Sequence, residues 1–383
     1  MARALHIRRF TMRRPSASPA AVRSARRGVT LIEVMVGMVI GLLLTTAAVA
    51  FVRSESKLMG VTEDRLDMVQ ASRVVMNLIS SDVRSAGLGL RPQTGQFQGL
   101  LTGPFTVGGV PFGGAGTLQV QEADATGSGT FTPYAVPTQD LGVRLADGDQ
   151  ATIVDFTGKG STAGSMTVCD HAGMELRNGE IVLLQDQTSL STWSVELTNV
   201  GASSLCAGTC RNGCMPLNWQ EPTSTGHQYE ANAGSDQEYS LGQMFSGFQT
   251  VVWFVVPDPD RIDRGALRRM TWDDTQPDCA ARDNTCGALV ARNVEGFFYR
   301  VYQFTPVGGW VEVAPGTNPT ADGRVRIDIE LVLRADESAD KTFPQVQALL
   351  PPGGPVAYPP NPRDRIERRV FRATVELRNA GRI

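Results

Sequence analysis

The side chains with the greatest chemical capacity are six cysteines, three histidines and one glutamate set against an apolar run. The cysteines stand at Cys169, Cys206, Cys210, Cys214, Cys279 and Cys286. Cys206, Cys210 and Cys214 recur every fourth residue, so on a helix they would share a face, and His171 or His227 could complete a four-ligand zinc site. The run LCAGTCRNGC is turn-like and lacks the C-x2-C spacing of common zinc sites, which favours disulfides. An even number suits full pairing, and Cys279 with Cys286 could close a short loop, although spacing leaves the fifteen connectivities of six cysteines open. Catalytic patterns are missing: neither H-E-x-x-H nor G-x-S-x-G occurs. Gly158-Lys159-Gly160-Ser161-Thr162 has the flavour of a phosphate loop, but Ile153 stands where the earlier glycine is needed. Asp170 beside His171 reads as an exposed polar turn. Asp147-Gly148-Asp149 and the acids from Asp258 to Asp263 lack EF-hand spacing and read as solvated turns. The expectation is a non-enzyme with no metal and no cofactor.

Glu33 is the remaining candidate. It precedes Val34 to Val52, nineteen residues without a charge, which as a helix span roughly 28 Å, about the thickness of a hydrocarbon core. A carboxylate at the lip of such a span is a functional candidate by default, since burying it unpaired costs a few kcal/mol. The alternative is an interfacial first-turn acid that suits the helix dipole. Residues 1–28 hold eight arginines and no acid, so the positive-inside bias places the N-terminus in the cytoplasm and everything after Val52 outside.

The run Arg26-Arg27-Gly28-Val29-Thr30-Leu31-Ile32-Glu33, followed by that apolar helix, resembles the N-terminal signal of type IV pilins and type II secretion pseudopilins. The resemblance implies that residues 1–28 are a leader cut off by a prepilin peptidase after Gly28. It further implies N-methylation of the new terminus at Val29, with Glu33 neutralising the terminal amine of a neighbouring subunit in the filament.

Without the eight leader arginines, 28 basic residues face 39 acidic ones, a balance of −11. That argues against nucleic acid as a partner. A hydrophobic content of 42% with 40 Gly and 22 Pro reads as a folded, loop-rich β protein. All six cysteines fall outside the membrane by this topology, where disulfides persist.

The elements follow from periodicity. A helix is expected from Thr30 to Ala86, with Gly37-x-x-x-Gly41 as a small-residue motif, Leu66, Val69, Met76, Ile79 and Val83 on one stripe, Gly60 as a soft point, and a stop at Gly87 and Gly89. Strands are expected within Gly116 to Val120, Gly129 to Val136, Gln150 to Phe156, Glu180 to Leu184, Ser191 to Leu197 and Met244 to Val256. Val200 to Gly242 shows little periodicity, so about 165–290 is expected to be a disulfide-stapled loop region. Asn293 to Tyr302, Trp310 to Val313, Val325 to Leu333 and Phe371 to Leu377 read as an antiparallel sheet, interrupted by a proline-rich excursion from Phe343 to Pro362.

The order NVEGFFYRVY, RVRIDIELVLRA, ERRVFRATVELRNAG, with SSDVRSAG at the helix exit, is similar to the PilW family of minor pilins. The likeness covers about the first 90 and the last 90 residues. The fold class expected is α+β and pilin-like: a leader over 1–28, a long helix over 29–86 with its transmembrane part at 34–52, and a β-rich periplasmic or extracellular domain over 87–383. The function expected is a minor pilin that primes or caps a type IV pilus, with roles in motility and adhesion. Its partners would be other minor and major pilins, the prepilin peptidase and the inner-membrane assembly platform. It would sit as a single-pass bacterial inner-membrane protein until assembled into the extracellular pilus. A type II secretion minor pseudopilin and a signal-anchored surface enzyme or receptor are the alternatives.

Overall fold

The computed structural model describes residues 30–87, 99–107, 110–113, 116–123, 131–146, 150–158, 161–170, 174–186, 192–204, 210, 213–220, 239, 242–261, 264–272, 281–314, 317, 319–320, 324–335, 344–351, 354–358 and 366–377. One long helix comes first, α1 (Leu31–Ser85), and everything described after it is strand or turn. The strands are β1 (Leu100–Leu101), β2 (Phe105–Val107), β3 (Val110–Phe112), β4 (Gly116–Ala123), β5 (Phe131–Thr138), β6 (Leu141–Ala146) and β7 (Gln150–Thr157). There follow β8 (Ala163–Cys169), β9 (Ile181–Gln185), β10 (Thr192–Val200), β11 (Cys214–Gln220), β12 (Gln243–Phe245), β13 (Phe248–Pro257) and β14 (Gly265–Trp272). The last are β15 (Ala288–Thr305), β16 (Gly309–Glu312), β17 (Val325–Arg334), β18 (Val346–Ala348), β19 (Val356–Tyr358) and β20 (Arg368–Glu376).

The chain divides into two compact units, Met1–Met59 and Gly60–Ile383. In the first, the described residues are the start of α1 alone, exposed along its apolar length.

The second unit is built on an antiparallel sheet ordered β1-β6-β13-β14-β15-β17-β20, with β16 extending β15. One face meets α1: Met68, Val75, Ile79 and Val83 are buried with Val251, Trp253, Val255, Phe297, Ile327 and Ile329. The other face of β13 and β14, through Val252, Phe254, Val256 and Met270, is covered by the β2–β3 hairpin with Val107, Val110 and Phe112. Strand β13 is therefore buried on both sides, which explains its unbroken apolar run. The expected helix stripe holds at Ile79 and Val83, which are buried, and at Met76, which packs against the core, but not at Leu66. Met68 and Val75 point inward whereas Leu66 is 56% exposed, because 68, 72, 75, 79 and 83 keep the 3.6 period and 66 falls almost opposite.

Where it is described, the segment 165–290, expected as a stapled loop region, is largely strand. Strands β10-β11-β8-β7-β12-β9 close into a six-stranded barrel, and β13 and β14 belong to the main sheet. The barrel is filled by Ile153, Phe156, Val182, Leu184, Trp193, Leu197, Leu217, Trp219 and Tyr239, with Trp193 and Trp219 edge to face at 4.8 Å. The run from Met244 to Val256, read as one strand, is two. The break falls at Ser246-Gly247, where Gly247 takes φ 64°, a conformation open to glycine at little cost. There the chain passes from barrel to sheet. Phe248 then pairs with Ala146, the last residue of β6, so the barrel is inserted between two neighbouring strands of the sheet.

The proline-rich excursion forms the small β18–β19 hairpin, whose Ala348 and Tyr358 join the main core.

Candidate functional site: the N-terminal helix and its seat

Thr30 and Glu33 set the start of α1. Thr30 Oγ1 accepts from the Glu33 amide at 3.3 Å, and Glu33 Oε2 accepts from the Thr30 amide at 3.0 Å and from Thr30 Oγ1 at 3.1 Å. This is a reciprocal capping box of the T-x-x-E type, satisfying donors the helix leaves orphaned. Glu33, which the pilin resemblance assigns to assembly, thus also helps fix where the helix begins. Further along, Thr45, Thr46 and Ser56 turn their hydroxyls back onto carbonyls three or four residues earlier, at 2.9 to 3.0 Å. Each hydroxyl is therefore satisfied within the helix, as an apolar medium requires. The helix is long and apolar enough to cross a membrane. Gly28 and Val29 lie outside the described residues.

From Gly60 onward, α1 is held on the sheet by charge as well as packing. Asp82 Oδ2 accepts from Trp253 Nε1 at 2.9 Å and from Arg269 Nε at 2.8 Å, while Arg269 Nη2 reaches Asp82 Oδ1 at 3.0 Å. Arg65 Nε meets Glu367 Oε2 at 2.7 Å. Beneath lies a buried group in which Arg368 grips Glu295 with two guanidinium nitrogens and Arg334 approaches the same carboxylate at 3.4 Å. The helix ends at Gly87, whose φ of 74° closes the last turn, and its amide donates to the Arg144 carbonyl at 2.9 Å.

Asp82 belongs to the SSDVRSAG run, yet no role for it could be read from the sequence. Arg269 and Trp253 stand on strands far along the chain, so only the register of β13 against β14, which pairs them directly, brings them to Asp82.

The prokaryotic N-terminal methylation motif matches residues 23–49. The N-terminus is of the prepilin type. No curated protein and no solved structure matches the chain. A prepilin-type N-terminus marks a substrate of prepilin peptidase processing, type IV pilin-like or pseudopilin-like, and the mostly β domain behind the helix is what that terminus carries.

In this prepilin-type chain the described cysteines are bonded. Cys169 is joined to Cys210 across 41 residues, with Cα atoms 5.2 Å apart. Cys214 and Cys286 are also in disulfides, and Cys206 and Cys279 lie outside the described residues. A sulfur in a disulfide is no thiolate, so Cys210 and Cys214 do not offer the zinc alternative its ligands. His171, His227, Lys159 and Asp147 to Asp149 also lie outside the described residues. Asp258, expected in a solvated turn, is 2% exposed. It accepts from the Asp260 amide at 3.0 Å, and Arg292 pairs with Asp260 at 2.6 Å and Asp258 at 3.7 Å. Among the described residues no three His, Cys, Asp or Glu gather as a metal site.

Proposed function

We propose that the chain is a minor pilin of the PilW type, a non-enzymatic structural subunit whose helix enters the bundle of a type IV pilus. The observation that carries this is the prepilin-type motif running without interruption into an exposed apolar helix. In this reading the leader is removed after Gly28 and Val29 becomes the methylated terminus. The capping box opens when the subunit leaves the lipid, and Glu33 turns to the ammonium of an adjacent protomer. Burying both charges together is tolerable where burying either alone is not. The domain stays on the periplasmic side until assembly carries it outside, in contact with other minor and major pilins and drawn up by the inner-membrane platform.

Mass spectrometry of the mature protein from the cell envelope tests this. The expected product begins at N-methylated Val29. Protein beginning at Met1 would overturn the reading and leave a signal-anchored surface enzyme or receptor. The same motif also serves minor pseudopilins. Deleting the gene separates these: loss of twitching motility favours the pilus, and loss of exoprotein release favours type II secretion.

A further inference from the structure

Three sulfurs gather where β8 ends and β11 begins. Cys169 and Cys214 are direct cross-strand partners, Cys169 is bonded to Cys210, and Cys214 Sγ lies 3.3 Å from Cys210 Sγ, within van der Waals contact. Cys214 is 2% exposed and is itself in a disulfide. Two bridges on the barrel therefore touch sulfur to sulfur.

We propose that these bridges act as one exchange unit, a redox-sensitive clip in which reduction at Cys214 is passed on to Cys169. The co-reactant is a dithiol, either a small molecule or a dithiol oxidoreductase. It opens the Cys214 bridge, leaving two cysteine thiols while its own two thiols become a disulfide. Cys214, deprotonated, then attacks Cys210 Sγ. The Cys210–Cys214 bond forms as the Cys169–Cys210 bond breaks, and Cys169 leaves as a thiolate that takes its proton from water. The second step exchanges one disulfide for another with no net change in electrons. Contact between the sulfurs makes it intramolecular, which favours it over a second encounter with reductant. The outcome is mechanical. Cys210 is transferred from the end of β8 to the start of β11, so β8 loses its covalent link to Cys210.

Partial reduction of the full chain in detergent tests the clip. The protein is treated with limiting dithiothreitol near pH 8, where a useful fraction of thiol is ionised, and quenched in acid, because only the thiolate attacks. Free thiols are then alkylated and the protein is digested with trypsin. Arg211 separates Cys210 from Cys214, and because Cys206 shares the Cys210 peptide, fragmentation between Cys206 and Cys210 shows which of the two is linked to Cys214 and which is alkylated. Among chains that have lost the original Cys214 bridge, most are expected to carry the Cys210–Cys214 link with Cys169 alkylated. Chains with Cys214 alkylated and Cys169–Cys210 intact would overturn the proposal. So would loss of Cys169–Cys210 without any Cys210–Cys214 peptide.

Discussion

Asp82 lies in the last turn of α1, where the helix dipole opposes a negative charge. Arg269 and Trp253 more than offset that penalty by taking both carboxylate oxygens. Asp82→Ala should lower the unfolding free energy by about 2–4 kcal/mol, since it strands a buried indole N–H and a half-buried guanidinium; denaturant titration would measure the loss. Asp140 gives a pH signature. It is 2% exposed and accepts from Arg282 at 2.6 Å and from the Gly113 amide at 3.0 Å. Burial nevertheless holds its carboxyl above the ordinary value of 3.8, with Arg282 and Gly113 pulling the other way. The folded chain keeps that proton to higher pH than the unfolded chain. Its contribution to stability is full below pH 3.8 and is lost as pH rises through the raised folded value. Asp140→Asn cannot ionise, so the stability difference, variant minus parent, should shift toward the variant across that window and then level off. Urea titrations at stepped pH check it, and a pH-independent difference would refute it. Neither residue's role was readable in the sequence, because the side chains that pair with each arrive from more than a hundred residues away.

At the scale of elements, the long alternating strands were readable, as were β7, β9 and β10 of the barrel, whereas β8 and β11 were not. In β17, Val325, Ile327 and Ile329 face the core in strict alternation. In β11 the same period exists, with Met215, Leu217 and Trp219 inward and Pro216 and Asn218 outward. It is hidden by a mid-strand proline and by surroundings of Gly, Ser and Asn that resemble a loop. On α1, Ile79 and Val83 were readable as buried but Leu66 was not readable as exposed, because the outer face also carries Leu66, Val74 and Leu78, each more than 40% exposed, so composition alone cannot say where the buried stripe runs. One carboxylate holds the turn after β18 to the main sheet. Glu330 is fully buried, accepts the amides of Leu349 and Leu350 at 2.7 and 2.9 Å, and pairs with Arg372 at 2.7 Å. Glu330→Ala should cost about 2–4 kcal/mol. It should also speed hydrogen exchange at Leu349 and Leu350 by more than about tenfold while amides of β13 stay protected; unchanged exchange at those two amides would mean the hairpin is held by something else.

For the whole molecule, the test of assembly is Glu33. If that carboxylate meets a neighbour's terminal amine inside the filament, Glu33→Ala leaves cleavage after Gly28 intact and lowers recovery in sheared pili by more than about tenfold, since breaking a buried ion pair costs about 3–5 kcal/mol. Normal recovery would remove the pairing from the account. The motif that prompts this experiment was readable from eight residues, whereas the closing of strands between β6 and β13 into a barrel left no comparable mark. Its placement has a consequence of its own. The barrel leaves the sheet after Ala146 and rejoins it at Phe248, residues that already sit side by side. A tight turn could bridge that gap, so the scaffold has a socket into which one module can be exchanged for another without rethreading the strands around it.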